Sequence, residues 1–246
     1  MQTFDPLTPA EAIHRIIALQ QDGSCRSIWY CIAASAYASA NAGPQVTEVY
    51  KVAIANTTSA AERRHILQRI LETLIKGTML YGVPRLLNSF YPLVSYVEKE
   101  GLLEGTSPEP VLDVRKNMAN PFDLQERGLK YFQNIYRDDM DKIFAPMHKF
   151  APDIKQLSVL LEYGPYLSET SILSPIETSQ ITIAALVALD VPMQVKWHMR
   201  GLIRNQGTAD MVEYALHIAE IVCVAEGVQL KNGLPDLRAI QEETLF

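Results

Sequence analysis

Apolar positions recur along this chain at intervals of three and four, in runs that open on serine or threonine and close on glycine, asparagine or proline. Thr8-Pro9-Ala10-Glu11 reads as a capping box with proline at the first helical position. Ser59-Ala60-Ala61-Glu62 is a second box, and it predicts a helix to about Tyr81, where Gly82-Val83-Pro84 stops it. Ser174-Pro175-Ile176-Glu177 is a third, opening a helix through Leu189. From Pro192 to Asn205, Val195, Met199, Leu202 and Ile203 share one helical face, with His198 on its edge beside Gln194 and Gly201, while Arg200 and Arg204 point away. Thr208-Ala209-Asp210 caps a helix that ends near Gly227. Strand-like alternation is weak throughout, so the expected fold class is all-α.

The order of these signals repeats. Arg26 to Ala34 lines up with Glu177 to Ala185. Each segment is followed by a turn with a proline (Pro44, Pro192), a second helix ending in asparagine (Asn56, Asn205), a Ser/Thr cap (Ser59, Thr208) and a third helix ending in Gly-Val. Agreement of order, spacing and stop signals predicts two tandem related helical halves. The Lys99–Pro121 stretch is rich in glycine, proline and charge, and has poor periodicity. The expected organisation is an N-terminal helical repeat over 1–98, a linker over 99–121 and a second helical domain over 122–246.

Composition narrows the classes. With 246 residues, 48% of them apolar, there is ample material for a core. A net charge of −6 argues against nucleic-acid binding, which needs a basic footprint to meet phosphates. The longest apolar stretch, Ile181 to Leu189, is interrupted by Thr182 and falls far short of the roughly twenty residues that span a membrane. It is expected to be a buried core helix. The N-terminal MQTFDPLTPAEAI has no basic and apolar leader pattern, and EETLF carries no legible lipidation or peroxisomal signal. The three cysteines, Cys25, Cys31 and Cys223, form no CxxC pair and suit reduced thiols in a cytoplasmic protein. The five histidines are scattered, with no HxxxH and no acidic ligand run, and the glycines build no phosphate cradle. Neither a metal nor another cofactor is expected.

Candidate chemistry gathers in the second half. His198, on the rim of an apolar stripe, suits a proton carrier lining a small cavity, although spacing alone favours a core histidine with a satisfied hydrogen bond. Glu177 opens the preceding helix; across a tight turn it would orient and charge the imidazole, or it simply caps its own helix. Tyr163, Tyr166, Ser179, Gln194, His217 and Glu220 are further candidates for lining a substrate pocket, each with an ordinary structural alternative.

The segment from Leu173 to Asn205 resembles the signature region of the carboxymuconolactone decarboxylase family, which shares a helical fold with the alkylhydroperoxidase D proteins. Glu177, Pro192, His198, Arg200-Gly201 and Asn205 stand at the places of its pattern, and Gln125-Glu126-Arg127-Gly128 and Glu162-Tyr163-Gly164 resemble its upstream parts. Val191 and Gln194 stand where peroxidase members carry their CxxC, which excludes dithiol chemistry there. In the first half Arg26 and Val49 replace the Glu and His, so that half is expected to be structural. The resemblance implies a cofactor-free lyase or isomerase that decarboxylates, cyclises or shifts a double bond in a small conjugated acid, lactone or polyketide-like compound. His198 would be acid and base, Glu177 its orienter, and Arg200 a weak candidate for the substrate carboxylate. The alternative is a non-catalytic binding or assembly protein that retains the fold. The resemblance also implies a homo-oligomer, formed through apolar helical faces.

Overall fold

The computed structural model describes residues 7–19, 28–116, 118 and 120–244, the last four as backbone only. Cys25 and Arg26 lie outside the described residues, so the alignment through Arg26 and the Cys25–Cys31 spacing rest on sequence alone. Every regular element among the described residues is helical. In chain order these are α1 (Pro9–Ala18), α2 (Trp29–Ser39), α3 (Gln45–Ile54), α4 (Ala60–Lys99), α5 (Pro121–Tyr136), a short 3-10 helix (Arg137–Asp139), α6 (Met140–Phe150), α7 (Pro152–Gln156), a π-helix (Leu157–Leu167), α8 (Pro175–Ala188), α9 (Pro192–Arg204), α10 (Ala209–Ala225) and α11 (Leu237–Thr244). Among the described residues no helix is long and apolar enough to cross a membrane.

The start signals act as the residues dictate. Thr8, Ser59 and Ser174 each accept the amide of a glutamate three positions on, and each glutamate reaches back to the cap, closing reciprocal boxes. Thr208 accepts the Met211 amide and opens α10. Proline occupies the first helical position of α1, α5, α8 and α9, where its missing N–H has no partner to lose.

The expected stop after Tyr81 is half of what happens. Gly82 leaves helical geometry at φ 81°, ψ 158°, a region open essentially to glycine. The chain then re-enters helix at once, because Pro84 suits the first turn of a new helix as well as the end of an old one. α4 is therefore two arms. They fold towards each other so that Leu67 and Leu74 on the first arm line one cleft with Phe90 and Val97 on the second.

α2 and α8 form the centre. Neither has one distinct polar face, and both are buried along nearly their whole length, Thr178, Ser179, Gln180 and Thr182 of α8 included. Alanines at 33, 34, 36, 184 and 185 let the backbones approach. Ser35 and Ser39 donate across to the carbonyls of Ile181 and Ala185, each at 2.7 Å. The two contacts share one offset, so the helices run in the same direction. α2 also packs on α4 and α10, and α8 on α10 and α4.

The turns after the two central helices match. After α2, Asn41 takes a positive φ and the Ala42 amide closes on the Tyr37 carbonyl. After α8, Asp190 does the same and the Val191 amide closes on Leu186.

A smaller core lies beneath α5, α6 and the π-helix, built on Phe132, Tyr136, Phe144 and Tyr163. α5 crosses the π-helix closely enough that a Cβ on Gly128 would collide with the Val159 carbonyl, and one on Gly164 with the Leu124 carbonyl. Arg127 fastens the crossing with two bonds to the Gly164 carbonyl, at 3.0 and 2.6 Å.

The described part of the 99–121 stretch, from Leu102 to Arg115, is a strap across α4. Arg63 donates to Leu102, and Arg64 to the carbonyls of Ser107, Glu109 and Pro110. At its far end Arg115 meets the fully buried Glu72 in a two-pronged pair, 2.8 and 2.7 Å.

Candidate functional site

Glu177 sits where its capping box puts it. One carboxylate oxygen accepts the Ser174 amide at 2.8 Å, and the other accepts Arg69 Nη2 at 2.7 Å. Arg69 comes from α4 and lies over the ring of Tyr30, 5.9 Å from its centre. Burial pushes the Glu177 carboxyl up, but the Arg69 and Ser174 bonds more than offset this, and its pKa falls below the ordinary carboxylate value. Both oxygens are thus engaged in holding α8 to its own cap and to α4.

His198 lies elsewhere. On α9 it is buried with Val195, Met199, Gly201 and Leu202, at 6% exposure. Its ring stands edge-on to Tyr136, 6.3 Å between centres. The Tyr136 hydroxyl in turn meets the Tyr163 hydroxyl at 2.9 Å. Burial alone lowers the His198 pKa to about 4, so the ring is neutral at physiological pH. Among the described residues no hydrogen bond or ion pair joins Glu177 to His198.

The remaining candidates scatter. Tyr163 belongs to the buried aromatic layer on the π-helix. Tyr166 packs under the Arg115 guanidinium, 5.2 Å from its ring centre. Ser179 bonds back to the Pro175 carbonyl within α8 at 2.9 Å. Gln194 and His217 are exposed, on α9 and α10. Arg200 reaches Asp139 at 3.6 Å. The two described thiols, Cys31 and Cys223, are buried and pushed up to about 12, which leaves them as unreactive packing groups.

Two further polar clusters emerge: the first has no counterpart in the sequence reading, and of the second only Glu162 and Tyr163 were singled out there. Lys76, fully buried, donates to the carbonyls of Tyr166, Leu167 and Glu169 at 2.9, 3.0 and 2.6 Å, and lies 3.7 Å from Glu72. It closes the end of the π-helix, whose carbonyls have no further turn to bond. Burial draws the Lys76 pKa down to about 8, with Glu72 opposing. The second cluster is Glu162 beside Tyr136 and Tyr163; burial raises its carboxyl to about 7. The i,i+4 pair of Glu72 and Lys76 was a visible signal, but such pairs usually mark an exposed helix face.

No family model matches the chain. The chain is similar to Peroxisomal protein 2 of Schizosaccharomyces pombe, 27% identical over 209 residues that cover 85% of this chain and 91% of the relative. It is also similar to Peroxisomal protein 2 of Saccharomyces cerevisiae, 22% identical over 277 aligned residues that cover 91% of this chain and 97% of the relative.

These findings correct two expectations. Membership of the carboxymuconolactone decarboxylase family is overturned, since no family model matches and both relatives carry another name. The residues behind that resemblance have plain helical duties. Glu177 completes a cap, Pro192 opens α9, Asn205 closes it, Gly201 makes room for Ile135, and Gly128 and Gly164 permit a helix crossing. Any chain of capped, tightly packed helices draws on the same residues. The cytoplasmic expectation is overturned as well, because both relatives are named as peroxisomal proteins.

Proposed function

We propose that this chain is a non-catalytic binding or assembly protein of the peroxisome. One observation carries the reading: the two groups that acid–base chemistry would need in contact are each committed elsewhere. Glu177 is engaged at both oxygens, by Ser174 and by Arg69, and His198 is held neutral in an aromatic core without a carboxylate to charge it. The names of both relatives support the peroxisomal compartment. In this reading the chain assembles with copies of itself, and the exposed Phe150, Ile154, Leu157 and Leu161 on α6, α7 and the π-helix form the face such an assembly covers. The matching turns after α2 and α8 support an origin of the chain in two related halves.

A cofactor-free lyase or isomerase is the second reading, and one observation favours it. The π-helix, a form often found at functional sites, sets the partly buried Glu162 beside buried Tyr163, whose neighbour Tyr136 meets the His198 ring. The test is solvent-exchange NMR in D₂O with conjugated lactone acids and β-keto acids. The leading reading expects neither deuterium uptake nor CO₂ loss above the buffer rate. Turnover that collapses in His198→Ala, at an unchanged melting temperature, would replace it with the second.

A further inference from the structure

The bend at Gly82 creates something the fold does not need. The two arms of α4 enclose a cleft of about 500 Å³ that no side chain fills. Leu67, Leu71 and Leu74 form one wall, and Phe90, Val94 and Val97 the other. Leu103 and Leu112 of the strap close a third side. The lining holds a single ionisable residue, the exposed Glu98, and no cation. A volume of this size with apolar walls and one polar group lies within the range of small-molecule sites. The strap makes it more than an uncovered helix face. It is fastened by Arg63 and Arg64 through four backbone carbonyls and by Arg115 to buried Glu72. The wall is therefore held in place independently of any occupant.

We infer that this cleft binds an uncharged aliphatic molecule with a hydroxyl-type head group, its chain between the arms of α4 and its head at Glu98. Apolar walls select the chain. The carboxylate at the rim accepts a hydrogen bond from a hydroxyl and repels a second carboxylate, so a long-chain alcohol is favoured over the corresponding fatty acid anion. His198 is not among the residues lining this site, and the inference does not depend on whether that residue takes part in catalysis.

The test is Nile red fluorescence on the full chain at pH 7.5, with 1-dodecanol and dodecanoate as competitors. Saturable binding of one dye per chain is expected, displaced at least tenfold more effectively by the alcohol. Leu71→Trp, which fills the cleft, weakens dye binding at least tenfold. Glu98→Lys, an exposed change, reverses the order of the two competitors and keeps the test alive should Leu71→Trp fail to fold. Absence of saturable binding would overturn the inference. So would equal displacement by acid and alcohol, indifference to Glu98→Lys, or dye uptake that vanishes on self-association, which would make a second copy of the chain the occupant.

Discussion

His198 imposes a penalty that appears only in acid. Its folded-state pKa is about 4, against 6.5 for an ordinary histidine, so between those values the unfolded chain binds a proton that the native one refuses. Its contribution is fully present above 6.5 and is lost as the pH falls towards 4, by up to about 3 kcal/mol. Glu162 works the other way. Its carboxyl is raised to about 7, so its contribution is present below about 4.5 and is lost between 4.5 and 7. Comparing wild type with His198→Gln isolates the histidine. The stability difference between the two should shift in the variant's favour by ~2–3 kcal/mol from pH 7 to pH 4 in urea unfolding; parallel pH curves would contradict this. At the residue scale the sequence placed His198 correctly on the edge of an apolar stripe. It did not reveal that Tyr136, 62 positions earlier, covers that edge. Glu177 was legible as a cap because a cap is local. Its other partner, Arg69, lies 108 positions away and leaves no local trace.

Among the elements, α4 departs furthest from its sequence signature. The stop at Gly82 was readable, since a positive φ calls for glycine. The resumption was not, because Pro84 is compatible with both a loop and the start of a helix. Nor does the strap announce itself, since its order comes from arginines on α4 rather than from periodicity of its own. The joint between α4 and the π-helix rests on Lys76. Lys76→Met leaves Glu72 with its Arg115 partner but removes the ammonium from the buried Leu167 carbonyl and the part-buried Tyr166 and Glu169 carbonyls, and should cost about 3–5 kcal/mol. The melting temperature should fall by ~10 °C. A change of under ~2 °C would mean that water replaces the ammonium and that the joint is not closed.

At the scale of the molecule, all-α architecture was legible from caps and 3.6-residue periodicity alone, because helix starts are written within four residues. The family assignment failed for the same reason. Capping glutamates, helix-opening prolines and crossing glycines recur wherever helices pack, so together they describe a fold type and not an ancestry. The face bearing Phe150, Ile154, Leu157 and Leu161 carries the assembly claim. Light scattering should give a homo-oligomer for wild type and a monomer for the Phe150→Asp, Leu161→Asp double variant, with helicity by circular dichroism unchanged. A monomeric wild type would remove that face as an interface.

The claim that binds these scales is that Glu177 and His198 are separate structural residues and not an acid–base pair. Titration of the His198 ring by ¹H–¹⁵N NMR, in wild type and in Glu177→Gln, tests it most directly. The account predicts an imidazole that stays neutral down to about pH 4 and titrates identically in both proteins. A wild-type pKa at or above 6.5 that drops by a unit or more in Glu177→Gln would show the carboxylate charging the imidazole, and would contradict it.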